Sequence, residues 1–241
     1  MYPELRNKEF GIINLLKSGW QVFKNKFFPI LIIALLINFP LNIVTEVARL
    51  SGADWALTLS IEFQSAGFLG LLSNVAVMVI TEQDVLGKKV TAWSALKKAY
   101  FRWRSAFVTS LTVGIFSLFL LLLLIIPGII FIVNTAFFLH AVGLRNLGWR
   151  AALDYSRNLV KDSFWRVFYT FLVIHLIVFL FPSMILGVLI GTISSLTGEG
   201  SNWVSFTNLV TLFFSQLISY LYIVTGTVFF LNMDYRKSLK N

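Results

Sequence analysis

Between Ser105 and Leu144 lie 40 consecutive residues without one Asp, Glu, Lys or Arg. A helix crossing a ~30 Å hydrocarbon core needs ~20 apolar residues, so this run is long enough for two crossings. Pro127-Gly128 lies near its centre, a dipeptide at which a chain reverses at little cost. Four further uncharged windows, Phe27 to Thr45, Phe63 to Thr81, Val167 to Gly198 and Gly200 to Met233, each supply one more crossing. The predicted spans are therefore about 27–47, 64–82, 106–126, 129–145, 167–191 and 206–232, with the fourth short enough to enter at a shallow angle. Composition requires the same environment. Only 13% of the residues are charged, against about 25% in a soluble domain, and 57% are apolar. Too few polar side chains remain to cover a water-soluble core. The chain is an integral membrane protein, expected to be all-α and one polytopic domain over residues 1–241.

The cations fix its orientation. Summed on alternate sides of the six spans, 19 of the 20 Lys and Arg fall on the side of both termini. The opposite side holds Arg49 alone, with Glu46, Asp54, Glu62 and Glu199. By the positive-inside rule both termini face the cytoplasm. Glu4, Arg6, Lys8 and Glu9 precede the first apolar run and no small-residue cleavage site follows, so the first span is read as a retained anchor. The absence of Cys excludes disulfides, thiolate metal sites and cysteine nucleophiles.

A basic stretch with apolar residues at helical spacing precedes each odd-numbered span. Leu16, Gly19, Trp20, Phe23 and Phe27 recur 80 residues later as Leu96, Ala99, Tyr100, Trp103 and Phe107. A third, imperfect copy follows 57 residues on as Leu153, Ser156, Arg157, Val160 and Phe164. Helices with one apolar stripe, aromatic anchors and a cationic face are most stable lying in the membrane interface. The expectation is three repeats, about 10–84, 90–145 and 147–235, each an amphipathic cytoplasmic interfacial helix followed by a helical hairpin. Pro40, Pro127-Gly128 and Pro182 are expected to mark the outer turns.

Ala95-Leu96-Lys97-Lys98-Ala99, the run Leu120 to Gly128, Ala151 to Leu159 and Phe164-Trp165-Arg166 carry a resemblance. With them the chain resembles the bacterial YciC-like inner-membrane proteins, related to the membrane domain found beside glycerophosphodiester phosphodiesterases. The resemblance implies a multi-pass protein of the bacterial cytoplasmic membrane, with no established catalytic residue to carry over. Relatives of the phosphodiesterase type often place an acidic residue shortly before the third amphipathic helix, where this chain has Gly143-Leu144-Arg145-Asn146.

Candidate sites fall into two groups. Lys17, Lys24, Lys97, Lys98, Arg102, Arg104, Arg150, Arg157, Lys161 and Arg166 are placed to bind anionic lipid headgroups, with Trp20, Trp103, Trp149 and Trp165 as interfacial anchors. Asn74, Asn134 and Gln216 are amides within the even-numbered spans, and His140 and His175 are the titratable side chains well inside the apolar windows. An amide in hydrocarbon needs a partner, so these residues are expected to face inward as interhelical glue or along a solute path. The two histidines are expected to be neutral and bonded to a carbonyl or hydroxyl, and no metal or other cofactor is expected. Glu82, Asp154 and Asp162 read as solvated ion pairs. Gly67, Gly70, Gly187 and Gly191 have the spacing of close helix contacts. Enzyme signatures are absent. The leading expectation is a non-enzymatic protein that binds anionic membrane lipids and organises them or supports a membrane-protein partner, with no nucleic-acid role. A transporter or channel for a small or amphiphilic solute is the alternative.

Overall fold

The computed structural model describes residues 2–52, 54, 56–57, 60, 66–197 and 202–239. The described residues are all-helical. Two short helices, α1 (Tyr2–Asn7) and α2 (Ile12–Asn25), precede the first membrane-length helix. Six helices are long and apolar enough to cross a membrane, α3 (Phe27–Leu50), α4 (Gly67–Val85), α5 (Ala92–Leu123), α6 (Ile125–Arg145), α8 (Phe164–Ile193) and α9 (Phe206–Lys237). Between α6 and α8 lies α7 (Trp149–Val160). Glu62, Glu199 and the first two positions of the predicted second span lie outside the described residues.

Helices α4 and α9 are the centre of the bundle. More than half of the apolar window of α4 is buried within the protein, against 11% for α5 and for α8. On α4 the buried run is Val75 to Thr81, flanked by α3, α5, α6 and α9. The C-terminal part of α9 contributes Val228, Phe229, Phe230, Leu231 and Asn232, all without solvent exposure. Much of the remaining surface of α5, α6 and α8 is large apolar side chains such as Leu122, Ile126, Phe181 and Val188, which a hydrocarbon solvent accepts and water does not.

The prolines act differently from the expectation. Pro40 and Pro182 lie inside α3 and α8 rather than at outer turns. A proline has no N–H and its ring collides with the carbonyl four residues back. Those carbonyls, on Leu36 and Val178, fall within π turns at Ala34–Asn38 and His175–Leu180. The residue before each proline donates instead to the fifth carbonyl back, Phe39 to Ala34 and Phe181 to Leu176. A wider turn lets each helix continue past its proline. A third π turn, Ala66–Gly70, opens α4.

The break between α5 and α6 is at Leu124, whose extended backbone (φ −151°, ψ 111°) stops the helix three residues before Pro127. Pro127 then sits in the first turn of α6, where its missing N–H is not needed. A Cβ on Gly128 would lie 2.7 Å from the Leu121 side chain and 2.9 Å from its backbone nitrogen, so glycine permits the tight apposition of α5 and α6. The fourth crossing is interrupted at Thr135–Phe137. At Gly67, Gly187 and Gly191 a Cβ would meet nothing among the described residues, so among them these are not the close helix contacts their spacing suggested.

The three basic amphipathic segments take two forms. Helices α2 and α7 are separate from the spans that follow them, whereas the segment from Ala92 runs unbroken into α5. A capping box of Thr91 and Ser94 starts it, and no breaker residue follows. Their inward faces are also rotated from the expected stripe. In α2 the buried residues are Leu15, Gly19, Val22 and Phe23, while Trp20 is exposed. In α7 they are Ala152, Ser156, Leu159 and Val160, while Arg157 is exposed. The faces pack on other helices: α2 on α9, and α7 on α6 and α5.

Candidate functional site

A cavity of about 490 Å3 opens between α3, α4, α8 and α9. Asn38 and Asn42 enter from α3, Asn74 from α4, His175 from α8, and Gln216, Ser219 and Tyr222 from α9. Asn38, Asn74 and His175 each stand eleven residues from the basic end of their span, which is ~16 Å along the helix at 1.5 Å per residue. That is about half the ~30 Å a membrane-crossing helix must cover. No Asp, Glu, Lys or Arg is among the described lining residues.

The helix irregularities and the cavity coincide. Asn38 closes the first π turn, Gly70 closes the second, and His175 opens the third. π turns concentrate at functional sites because the extra residue redirects side chains that a regular helix would space evenly. Asn38 donates its amide N–H to the hydroxyl of Tyr220, a fully buried residue that lies near Ser73 and Gln216. Asn42 Nδ2 is shielded from solvent and has no hydrogen-bond partner among the described residues. His175 stacks on Phe179 at 5.1 Å and meets Tyr222 edge-on at 5.8 Å. The site thus combines the Asn38–Tyr220 hydrogen bond with amides, those of Asn42 and Asn74, whose nitrogens have no hydrogen-bond partner among the described residues.

Of the five intramembrane polar residues expected from the sequence, the fold gathers Asn74, His175 and Gln216 in this cavity and leaves two elsewhere. Asn134 ends the first half of α6, where its backbone carbonyl accepts from Ser156 Oγ at 2.8 Å. His140 is fully enclosed against Phe230 at 5.1 Å and Phe137 at 5.9 Å. Neither of its ring nitrogens has a partner among the described residues, which corrects the expectation of a bonded imidazole. Asn38, Asn42, Ser219 and Tyr222 were missed. Their signal was present: Asn38 and Asn42 are four apart, and Gln216, Ser219 and Tyr222 are three apart, each set on one helix face.

At the basic end a second polar centre ties the bundle together. Arg145 binds Glu82 at 2.5 Å through one nitrogen, and Asp234 at 2.5 and 3.0 Å through two others. Tyr155 of α7 donates its hydroxyl to the other Asp234 oxygen. Burial, followed by this bond to Asp234, pushes the Tyr155 phenol above its ordinary range. Glu82 and Asp234 are only 13% and 12% exposed, so Glu82 is part of a packed network rather than a solvated pair. Nearby, Asn232 accepts from Phe10 N–H and Arg166 and donates to the carbonyls of Leu5 and Lys8, fastening α1 to α9.

The cations divide accordingly. Lys17, Lys24, Lys97, Lys98, Arg104, Arg150, Arg157 and Lys161 are exposed, and none forms an ion pair among the described residues. Lys24 lies over Trp20 and Arg150 over Trp149. Arg102 and Arg166 instead face inward. Arg102 donates to the Gly143 carbonyl, and Arg166 pairs with Glu9 at 3.1 Å. Trp103 donates to the Phe68 carbonyl of a π turn at 2.7 Å, whereas Trp20, Trp149 and Trp165 are exposed. Comparison with protein-family models, curated proteins and solved structures found no match to this chain.

Proposed function

We propose that this chain is a non-enzymatic membrane protein that binds an uncharged polar solute or headgroup within the bilayer and carries it across, alone or as a subunit of a transporter. The observation that carries this reading is the mid-membrane cavity, where seven hydrogen-bonding side chains from four helices converge without a charge. Polar side chains held in hydrocarbon are costly unless a guest or water hydrogen-bonds to them. π turns in three of its four walls provide places where a helix can bend as the chamber opens.

The setting is the bacterial inner membrane with both termini in the cytoplasm, by the positive-inside rule and the resemblance to YciC-like proteins. The internal repeat draws support from burial. Leu15, Gly19, Val22 and Phe23 are matched after 80 residues by Ala95, Ala99, Arg102 and Trp103, and after a further 57 by Ala152, Ser156, Leu159 and Val160, and each set faces inward.

The test is native mass spectrometry of the protein released from nanodiscs made from its own membrane. The unmodified chain is expected to carry a discrete uncharged molecule, which the Asn74→Leu/Gln216→Leu variant loses while its helicity is unchanged. Identical spectra for both proteins overturn the reading. A second reading, headgroup binding that organises anionic lipid or a membrane-protein partner, is favoured by the eight exposed cations left without ion pairs among the described residues. It predicts several anionic lipids in the same spectrum.

A further inference from the structure

Beside the polar cavity lies a second one of about 380 Å3 between α6, α8 and α9, and His175 and Tyr222 line both. The rest of its lining is apolar, including Ile129, Val133, Val167, Phe168 and Phe171. The two chambers therefore have opposite chemistry and a common wall of two side chains. We infer that together they hold one single-chain amphiphile with an uncharged, hydroxyl-bearing head joined to its chain through a carbonyl, as in a monoacylglycerol. This inference rests on the proposed intramembrane binding role and names the class of its ligand.

Three observations carry it. The head chamber offers amides at Asn38, Asn42, Asn74 and Gln216 and a hydroxyl at Ser219, groups that donate and accept as polyol hydroxyls do. It offers no cation to a phosphate or carboxylate. Arg145 is bound to Glu82, eight residues beyond Asn74 on α4, which is ~12 Å along the helix, so an anionic head would be desolvated without a counter-charge. The tail chamber has the apolar lining that an alkyl chain requires. Between the two, the His175 imidazole and the Tyr222 hydroxyl make no hydrogen bond to the described residues and stand where the carbonyl linkage of such a ligand would fall.

The inference is tested by binding to the full chain in nanodiscs, with a long-chain monoacylglycerol, the fatty acid of the same chain, the matching diacylglycerol and a short-chain monoacylglycerol as probes. The long-chain monoacylglycerol is expected to bind at least about tenfold more tightly than the fatty acid or the diacylglycerol. Ala136→Phe, which fills the tail chamber, is expected to weaken the long-chain probe by a similar factor and leave the short-chain probe unchanged. Leu172→Trp serves the same purpose should Ala136→Phe fail to fold. Equal binding of all probes, or no effect of either tail variant on the long-chain probe, overturns the inference. If Asn74→Leu still abolishes short-chain binding in that case, the intramembrane binding role stands without it. If Asn74→Leu also has no effect, both fail.

Discussion

Gly19 of α2 and Thr225 of α9 are so close that a Cβ on the glycine would come within 2.3 Å of Thr225 Oγ1 and 3.0 Å of Thr225 Cα. Thr225 Oγ1 is itself held by its bond to the Leu221 carbonyl at 2.9 Å, so it cannot turn away freely. The contact explains why the buried face of α2 is centred on a glycine rather than on its tryptophan. It seats a basic amphipathic helix against the protein and leaves Trp20 and Lys24 on the outside.

Gly19→Ala is accordingly expected to cost about 1–3 kcal/mol through overpacking, and Gly19→Val more. Adding Thr225→Ala should recover part of the loss in the alanine variant, because it removes the nearest atom while the backbone at 3.0 Å remains. Thermal unfolding in detergent measures all of these. Additive losses in the double variant would contradict the contact.

Arg145→Leu is expected to be among the most damaging single changes at the basic end, at about 3 kcal/mol or more, because it strands two enclosed carboxylates. Glu82→Gln should cost less, since Arg145 retains its two bonds to Asp234. Combining Arg145→Leu with Glu82→Gln and Asp234→Asn should restore much of the stability, as the uncompensated charges are then gone. Denaturation midpoints of the four proteins decide the order.

The Tyr155 phenol titrates above its ordinary value in the folded protein. A raised folded value means that the stabilisation is complete below the unfolded phenol pKa of ~10 and is lost as pH rises through the folded value. Stability should therefore fall more steeply between about pH 10 and the folded pKa in the unmodified chain than in Tyr155→Phe. Parallel slopes for the two proteins over that range would rule the linkage out.

Much of the architecture was legible because a bilayer imposes simple demands. Each uncharged window became one span or, for the run from Ser105 to Leu144, two, and the amides Asn74 and Gln216 turned inward. The prolines misled because Pro40 and Pro182, read as turns, can be absorbed by a π turn one step upstream, which no residue spacing announces. Asn38 and Asn42 lie in the first span and so fall outside the pattern of one amide in each even-numbered span, although their spacing of four places them on one face. The pairing of Arg145 with both Glu82 and Asp234 joins positions 63 and 89 residues apart. Only the packing of α4, α6 and α9 brings those positions together.

The division of the cations gives the last expectation, because charge alone does not distinguish a headgroup contact from a structural one. Lys97 and Lys98 are exposed on the first turns of α5, whereas Arg102, a little over one turn later, reaches the Gly143 carbonyl. Neutralising Lys97, Lys98 and Arg104 together should lower retention of anionic lipid with little change in thermal stability, since surface cations contribute ~1 kcal/mol each to headgroup attraction and little to folding. Arg102→Leu and Arg166→Leu should behave in the opposite way. Each removes a donor from an inward carbonyl, which loses about 1–3 kcal/mol of folding stability while leaving lipid retention near its starting level. Lipid counts by native mass spectrometry, read beside unfolding temperatures on the same samples, separate the two classes. A loss of lipid without a loss of stability in Arg102→Leu would move that residue to the headgroup surface.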